Sequence, residues 1–132
     1  MREILFRGKT EQGKWLYGYL VKGNYNTGFG IIEDHIDTGM QYVKEETVGQ
    51  FTGLMDKNGA KIFEGDFLKY KLKERINDVY IYGYVVYNQD TCEFVVSSIV
   101  EEFIIPDKDF FNDIEDIEVI GNIHDNPELL GE

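Results

Sequence analysis

Short runs of β-branched, aromatic and aliphatic residues, broken by clusters of Gly, Asn, Asp and Thr, set the pattern of this chain. That is the pattern of strands joined by turns. Ile4-Leu5-Phe6 and Trp15 to Val21 flank the turn-rich stretch Gly8 to Gly13, which predicts a hairpin. Gly23 to Gly30 is a second turn-rich stretch, Phe29-Gly30-Ile31-Ile32 begins another short strand, and Asp34 to Gly39 reads as loop. Tyr42 to Leu54 carries enough β-branched and aromatic residues for a strand, followed by a turn at Asp56-Lys57-Asn58-Gly59, where Asn and Gly tolerate positive φ. In the run Ile62 to Tyr70, Glu64-Gly65-Asp66 interrupts the apolar residues as a tight bend or bulge would. Val79 to Tyr87 and Phe94 to Val100, on either side of Asn88-Gln89-Asp90, predict two long paired strands.

Toward the C-terminus the period changes. Phe110, Phe111 and Ile114 fit one face of a short helix over Asp107 to Asp116, with the acids of that segment on its wet side. Glu118 to Ile123 reads as a last strand, and Pro127 stands at the first position of a terminal helical turn. The fold class is therefore mainly β, or α+β with little helix and a short C-terminal one. No linker or repeat interrupts it.

With 132 residues the chain has the size of one domain, and folding can remove roughly two-thirds of its extended surface from water. At 42% hydrophobic and 14% aromatic it has the material for a core, which excludes disorder throughout. No apolar stretch approaches the roughly 20 residues that span a bilayer, and Met1 to Arg7 lacks an apolar signal region, so a cytoplasmic location is expected. The net charge of −12 is uneven: residues 1–75 hold 12 Lys or Arg against 11 Asp or Glu, and residues 76–132 hold one Lys against 14 acids. Such a field repels phosphate backbones in general, while leaving room for a local basic face on the first half.

Candidate chemistry is sparse. Cys92, the single cysteine, lies in a strand-like stretch and is expected to be a buried, inert thiol. His35 and His124 stand 89 positions apart, so zinc-ligand spacing is absent. His35 reads as an exposed loop residue among carboxylates, and His124 as a hydrogen-bonded structural histidine with no Ser or Cys partner at a recognisable spacing. The acids Asp56, Glu64 and Asp66 do not follow the alternate-oxygen spacing of a calcium loop, and turn formation accounts for them. These residues point to no catalytic, metal or cofactor site.

Three stretches taken together are specific: Arg2-Glu3-Ile4-Leu5-Phe6-Arg7-Gly8-Lys9, Val48 through Asp66 (VGQFTGLMDKNGAKIFEGD), and Glu118 through Leu130 (EVIGNIHDNPELL). In that order they resemble the YopX family of phage and prophage proteins. The resemblance runs essentially end to end, with Phe51, Met55 and Phe63 as minor departures. It implies a single YopX-like unit over 1–132, a gene carried by bacteriophages or prophages, and a small SH3-like barrel with additional β-strands at the N-terminus. The division it implies is an N-terminal β subdomain over 1–47 and the barrel over 48–132. The family brings no known catalytic residues, so none is carried over.

Two surface features remain. Lys69, Lys71 and Lys73 share one face if their segment is a strand, and with Arg75 they form the one basic patch, a possible phosphate contact. Alternatively that patch is a solvated face, or meets an acidic partner or the chain's own acidic half. Tyr80, Tyr82 and Tyr84 share a strand face opposite Val79, Ile81 and Val85, and this face or exposed strand edges are candidates for an interface through which the chain forms a homo-oligomer. The leading reading is a non-enzymatic accessory protein that binds a host or phage protein. The alternative is a nucleic-acid-binding module, which a separate, continuous basic face would favour and a mixed surface would not.

Overall fold

The computed structural model describes residues 3–23, 28–33, 39–73, 79–98, 104–105 and 114–130. Among these residues lie eleven strands and two single turns of 3-10 helix. They fall into two compact units, Met1–Gly53 and Leu54–Glu132.

In the N-terminal unit β1 (Phe6–Lys9) and β2 (Trp15–Lys22) form the expected hairpin. Its turn closes where the Thr10 carbonyl accepts from the Gly13 amide and the Thr10 hydroxyl from the Lys14 amide. β3 (Phe29–Glu33) adds to β2, and β4 (Met40–Val43) adds to β3, all antiparallel. The alternation of β2 is regular: Leu16 and Gly18 are buried while Tyr17 and Tyr19 are exposed. Leu16, Ile31 and Val43 form the core, with Phe6, Leu20, Phe29 and Val48 packed against it. The sheet curls around that core, because the Lys44 amide beyond β4 donates to the Lys9 carbonyl at the end of β1 (2.8 Å). A 3-10 turn over Glu45–Thr47 follows, and Thr47 locks it to β1 by accepting from the Lys9 amide and donating to the Lys44 carbonyl. β5 (Gly49–Met55) pairs with β1, and beyond it comes β6 (Lys61–Phe63), which gives the strand order β4-β3-β2-β1-β5-β6.

The C-terminal unit holds β6 (Lys61–Phe63), β7 (Asp66–Leu72), β8 (Ile81–Asn88), β9 (Glu93–Ser98), β10 (Ile104–Ile105) and β11 (Ile114–Asn122). Its sheet runs β10-β9-β8-β7-β11, antiparallel throughout. Ile62, Leu68, Tyr70, Val85, Val96, Ile114 and Ile117 form its core. Phe67 and Leu68, neighbours in β7, are both fully buried, so that strand is covered on both faces, with Phe67 meeting the Tyr84 ring edge-on at 6.0 Å.

Both turn signatures have structural duties. Asp56 accepts at Oδ1 from the amides of Asn58 and Ala60, and at Oδ2 from the amide of Val119 on β11. Asp66 accepts from the Phe63 amide across the bend, and Gly65 adopts φ +93° there.

Three local expectations change. Most of the segment read as a helix, 107–113 of 107–116, lies outside the described residues, but its end is strand: Ile114 pairs with Leu72 and is buried, since a strand partner and a core place outweigh weak helical periodicity. Cys92 is exposed rather than buried. The β8-β9 register ends at Asn88↔Glu93, which leaves residues 89–92 as the loop and Cys92 in it at φ +57°. Val79 precedes β8 and is exposed, whereas Ile81 and Val85 do face the core. The terminal helical turn forms as a 3-10 turn over Pro127–Leu130. His35 with the rest of 34–38, and residues 24–27 of the second turn-rich stretch, fall outside the described residues.

Candidate functional site

The two surface features of the sequence meet in one cluster of the C-terminal unit. Alternation in β7 puts Lys69 and Lys71 on one face, away from Leu68 and Tyr70. β11 lies alongside, with Lys71 opposite Glu115 and Lys69 opposite Glu118. Three residues of β7 thus span four of β11, the geometry of a bulge. Asp116 takes up the extra length in the left-handed region at φ +57°, which aspartate tolerates better than most residues. The neighbouring Ile117 carbonyl is satisfied by the Lys57 amide at 2.8 Å.

The bulge brings three donors to the Asp116 carboxylate. The Tyr80 hydroxyl donates to Oδ2 at 2.6 Å, Lys57 Nζ stands 3.1 Å from Oδ1, and Lys71 Nζ is 4.0 Å from Oδ2. Lys57 also reaches Glu118 at 3.7 Å. Above the Tyr80 ring, Lys69 Nζ and Lys71 Nζ sit 4.2 and 4.7 Å from the centroid, within cation–π range. The Tyr80 hydrogen bond, then that of Lys57, holds the Asp116 carboxyl below its ordinary pKa. Asp116 in turn raises the Lys57 ammonium above its own. Every member is partly open to solvent, so the cluster is a surface ion-pair network that orders side chains and adds little stability. With its acceptors engaged by tyrosine and lysines, Asp116 is a fixed anion rather than a poised base.

The other predicted residues divide. Lys73 is exposed beyond the end of β7, and Arg75 lies outside the described residues. Tyr82 is exposed, Tyr84 is half-buried against Phe67, and Tyr80 is turned into the cluster, so the three tyrosines do not make one continuous open row. Sequence reading missed Asp116 and Lys57. Lys57 was visible only as part of a turn, and Asp116 as one acid among many in the C-terminal half. Among the described residues no three His, Cys, Asp or Glu side chains converge as a metal ion requires. No helix of the described residues is long and apolar enough to cross a membrane.

The model of the YopX family, described as YopX protein, matches residues 5–131. The chain belongs to the YopX family. A solved structure similar to this YopX-family chain is the crystal structure of protein EF1440 from Enterococcus faecalis, at 25% sequence identity and a TM-score of 0.61. The similarity covers 99% of this chain and 100% of the other. Among curated proteins nothing matches. Of the cluster around Asp116, Lys57 belongs to the middle of the three family-like stretches and Glu118 opens the last.

Proposed function

We propose that this YopX-family chain is a phage or prophage accessory protein that acts in the bacterial cytoplasm by binding another protein, of the host or of the phage, without catalysis. The observation that carries this reading is the pairing of β7 with β11. The lysines expected to form a basic face stand opposite Glu115 and Glu118 and beside Asp116, so the surface is mixed in charge. Mixed, partly ordered charge with an exposed Tyr82 suits a protein surface, where complementary potentials set specificity. Phosphate binding needs cations left to the ligand, and here the chain's own carboxylates compete for them.

Affinity capture from cells carrying the phage, with the wild type beside Tyr82→Glu and Lys71→Glu variants, tests the proposal. A protein retained by the wild type, and retained at least tenfold less by one of the variants, is the expected result. Recovery of nuclease-sensitive nucleic acid as the main bound species would favour the alternative module built on Lys69, Lys71, Lys73 and Arg75.

A further inference from the structure

Opposite its Leu16–Ile31–Val43 core, the N-terminal unit turns a second face outward on β2, β3 and β4. Cross-strand pairing defines its members. Tyr19 stands opposite Ile32 and Ile32 opposite Met40, while Val21 stands opposite Gly30 and Gly30 opposite Tyr42. Tyr17 continues the β2 row two residues from Tyr19. Tyr17 is 44% exposed, Tyr19 53%, Ile32 37% and Tyr42 52%. A Cβ on Gly30 would collide with the Met40 side chain, so that thioether fills the gap between Val21 and Tyr42 and leaves no pit there.

These three tyrosines and the isoleucine leave roughly 350 Å² of side chain in water, taking about 200 Å² for a whole aromatic side chain. That reaches the size of the largest patch a monomer usually leaves open, about 300–600 Å². With a rim it supplies about half of the ~800 Å² that each partner contributes to a standard interface.

Charge selects the occupant. None of these outward positions is charged, on a chain of net −12. A basic partner is drawn instead to residues 54–132, where 18 Asp or Glu outnumber seven Lys or Arg. At its β1 margin the cations Arg7, opposite Tyr17, and Lys9, opposite Trp15, are drawn over the Trp15 ring with Arg7 buried, so the open part of the face offers an anionic membrane or a nucleic acid little positive charge. A like-charged partner, by contrast, has to meet the chain on uncharged ground, and a second copy is such a partner. The geometry points to a two-fold homodimer in which the outer faces of β2, β3 and β4 pack on their counterparts. Because the sheet curls around its core, the outer face is convex. Contact therefore concentrates on the central Tyr19–Ile32 row, and the dimer forms in a concentration-dependent way. Self-association is thereby placed on the N-terminal unit, not on Tyr80, Tyr82 and Tyr84.

Light-scattering mass of the full chain across protein concentration tests this without any other protein, so its outcome is independent of the proposed function. The wild-type mass is expected to climb from 15.3 kDa toward twice that value. Tyr19→Glu and Tyr42→Glu should each raise the concentration of half-dimerisation at least tenfold, whereas Tyr82→Glu follows the wild type. Thermal melting confirms that each variant is folded, and Tyr42→Glu decides if Tyr19→Glu is not. A wild type monomeric at every concentration overturns the assignment, as does a folded Tyr42→Glu variant that dimerises like the wild type.

Discussion

Gly65 combines two constraints that sequence reading could only half see. Its φ of +93° excludes β-branched residues, and its backbone is used on both sides: the amide donates to the Val85 carbonyl and the carbonyl accepts from the Ile123 amide. Gly65→Val is expected to cost about 2–3 kcal/mol, a fall in melting temperature of roughly 10 °C. An unchanged thermal melt would refute this. Tyr70 carries the opposite lesson. Its hydroxyl is buried with no hydrogen-bond partner among the described residues, and burial pushes its pKa up to about 12. Tyr70→Phe should therefore be neutral or stabilising by about 1 kcal/mol in urea unfolding. In the unfolded chain a tyrosine ionises near 10, so Tyr70 contributes stability that is complete below about pH 10 and is lost as pH rises from there toward 12. The Phe variant should lose stability less steeply over that range, which denaturant midpoints measured at successive alkaline pH values will show.

At the scale of elements, Asp56 is the stitch between the β5-β6 hairpin and β11. Burial alone would raise its pKa, but the hydrogen bonds from Val119, Ala60 and Asn58, with the charge of Lys57, together hold it below the ordinary value. Asp56→Ala removes three charge-assisted acceptor contacts and should cost about 3 kcal/mol at neutral pH. The sign of the pH effect follows from the depressed pKa: the contribution is complete above about 3.9 and is lost as pH falls below it. Wild type and variant should accordingly converge in stability on acidification, as chemical denaturation between pH 7 and pH 2.5 will reveal; parallel curves over that range would refute it. The hairpin of β1 and β2, the turn at Asn58-Gly59 and the pairing of β8 with β9 were all legible, because alternation and turn chemistry act within a few residues. Cys92 was misread because its stretch resembles strand, and only the Asn88↔Glu93 register shows where β9 begins.

For the whole molecule, the uneven charge of the sequence becomes a spatial arrangement. Most of the acid falls to the C-terminal unit, and part of it lies along β11 against the lysines of β7. Nucleic acid should bind weakly: fluorescence anisotropy with single-stranded and duplex oligonucleotides at physiological salt is expected to give dissociation constants above about 10 µM. A nanomolar value there would mean that Lys69 and Lys71 exchange their carboxylate neighbours for phosphates, and would reverse the ranking of the two readings.

By itself the sequence determined the β class, the hairpins and turns of Gly13, Gly59 and Gly65, the terminal turn at Pro127 and the likeness to the YopX family. These depend on period-two alternation, on residues that permit positive φ, and on segments read in order, all of which are written locally along the chain. Only the tertiary structure decided that Tyr80 and Lys57 converge on Asp116, and that Tyr17, Tyr19 and Tyr42 stand open while Tyr84 is packed against Phe67. Asp116 and Tyr80 are 36 residues apart, and their meeting requires a bulge in β11 together with the register of that strand on β7. Register between distant strands is a property of how whole faces bury, and no single residue announces it.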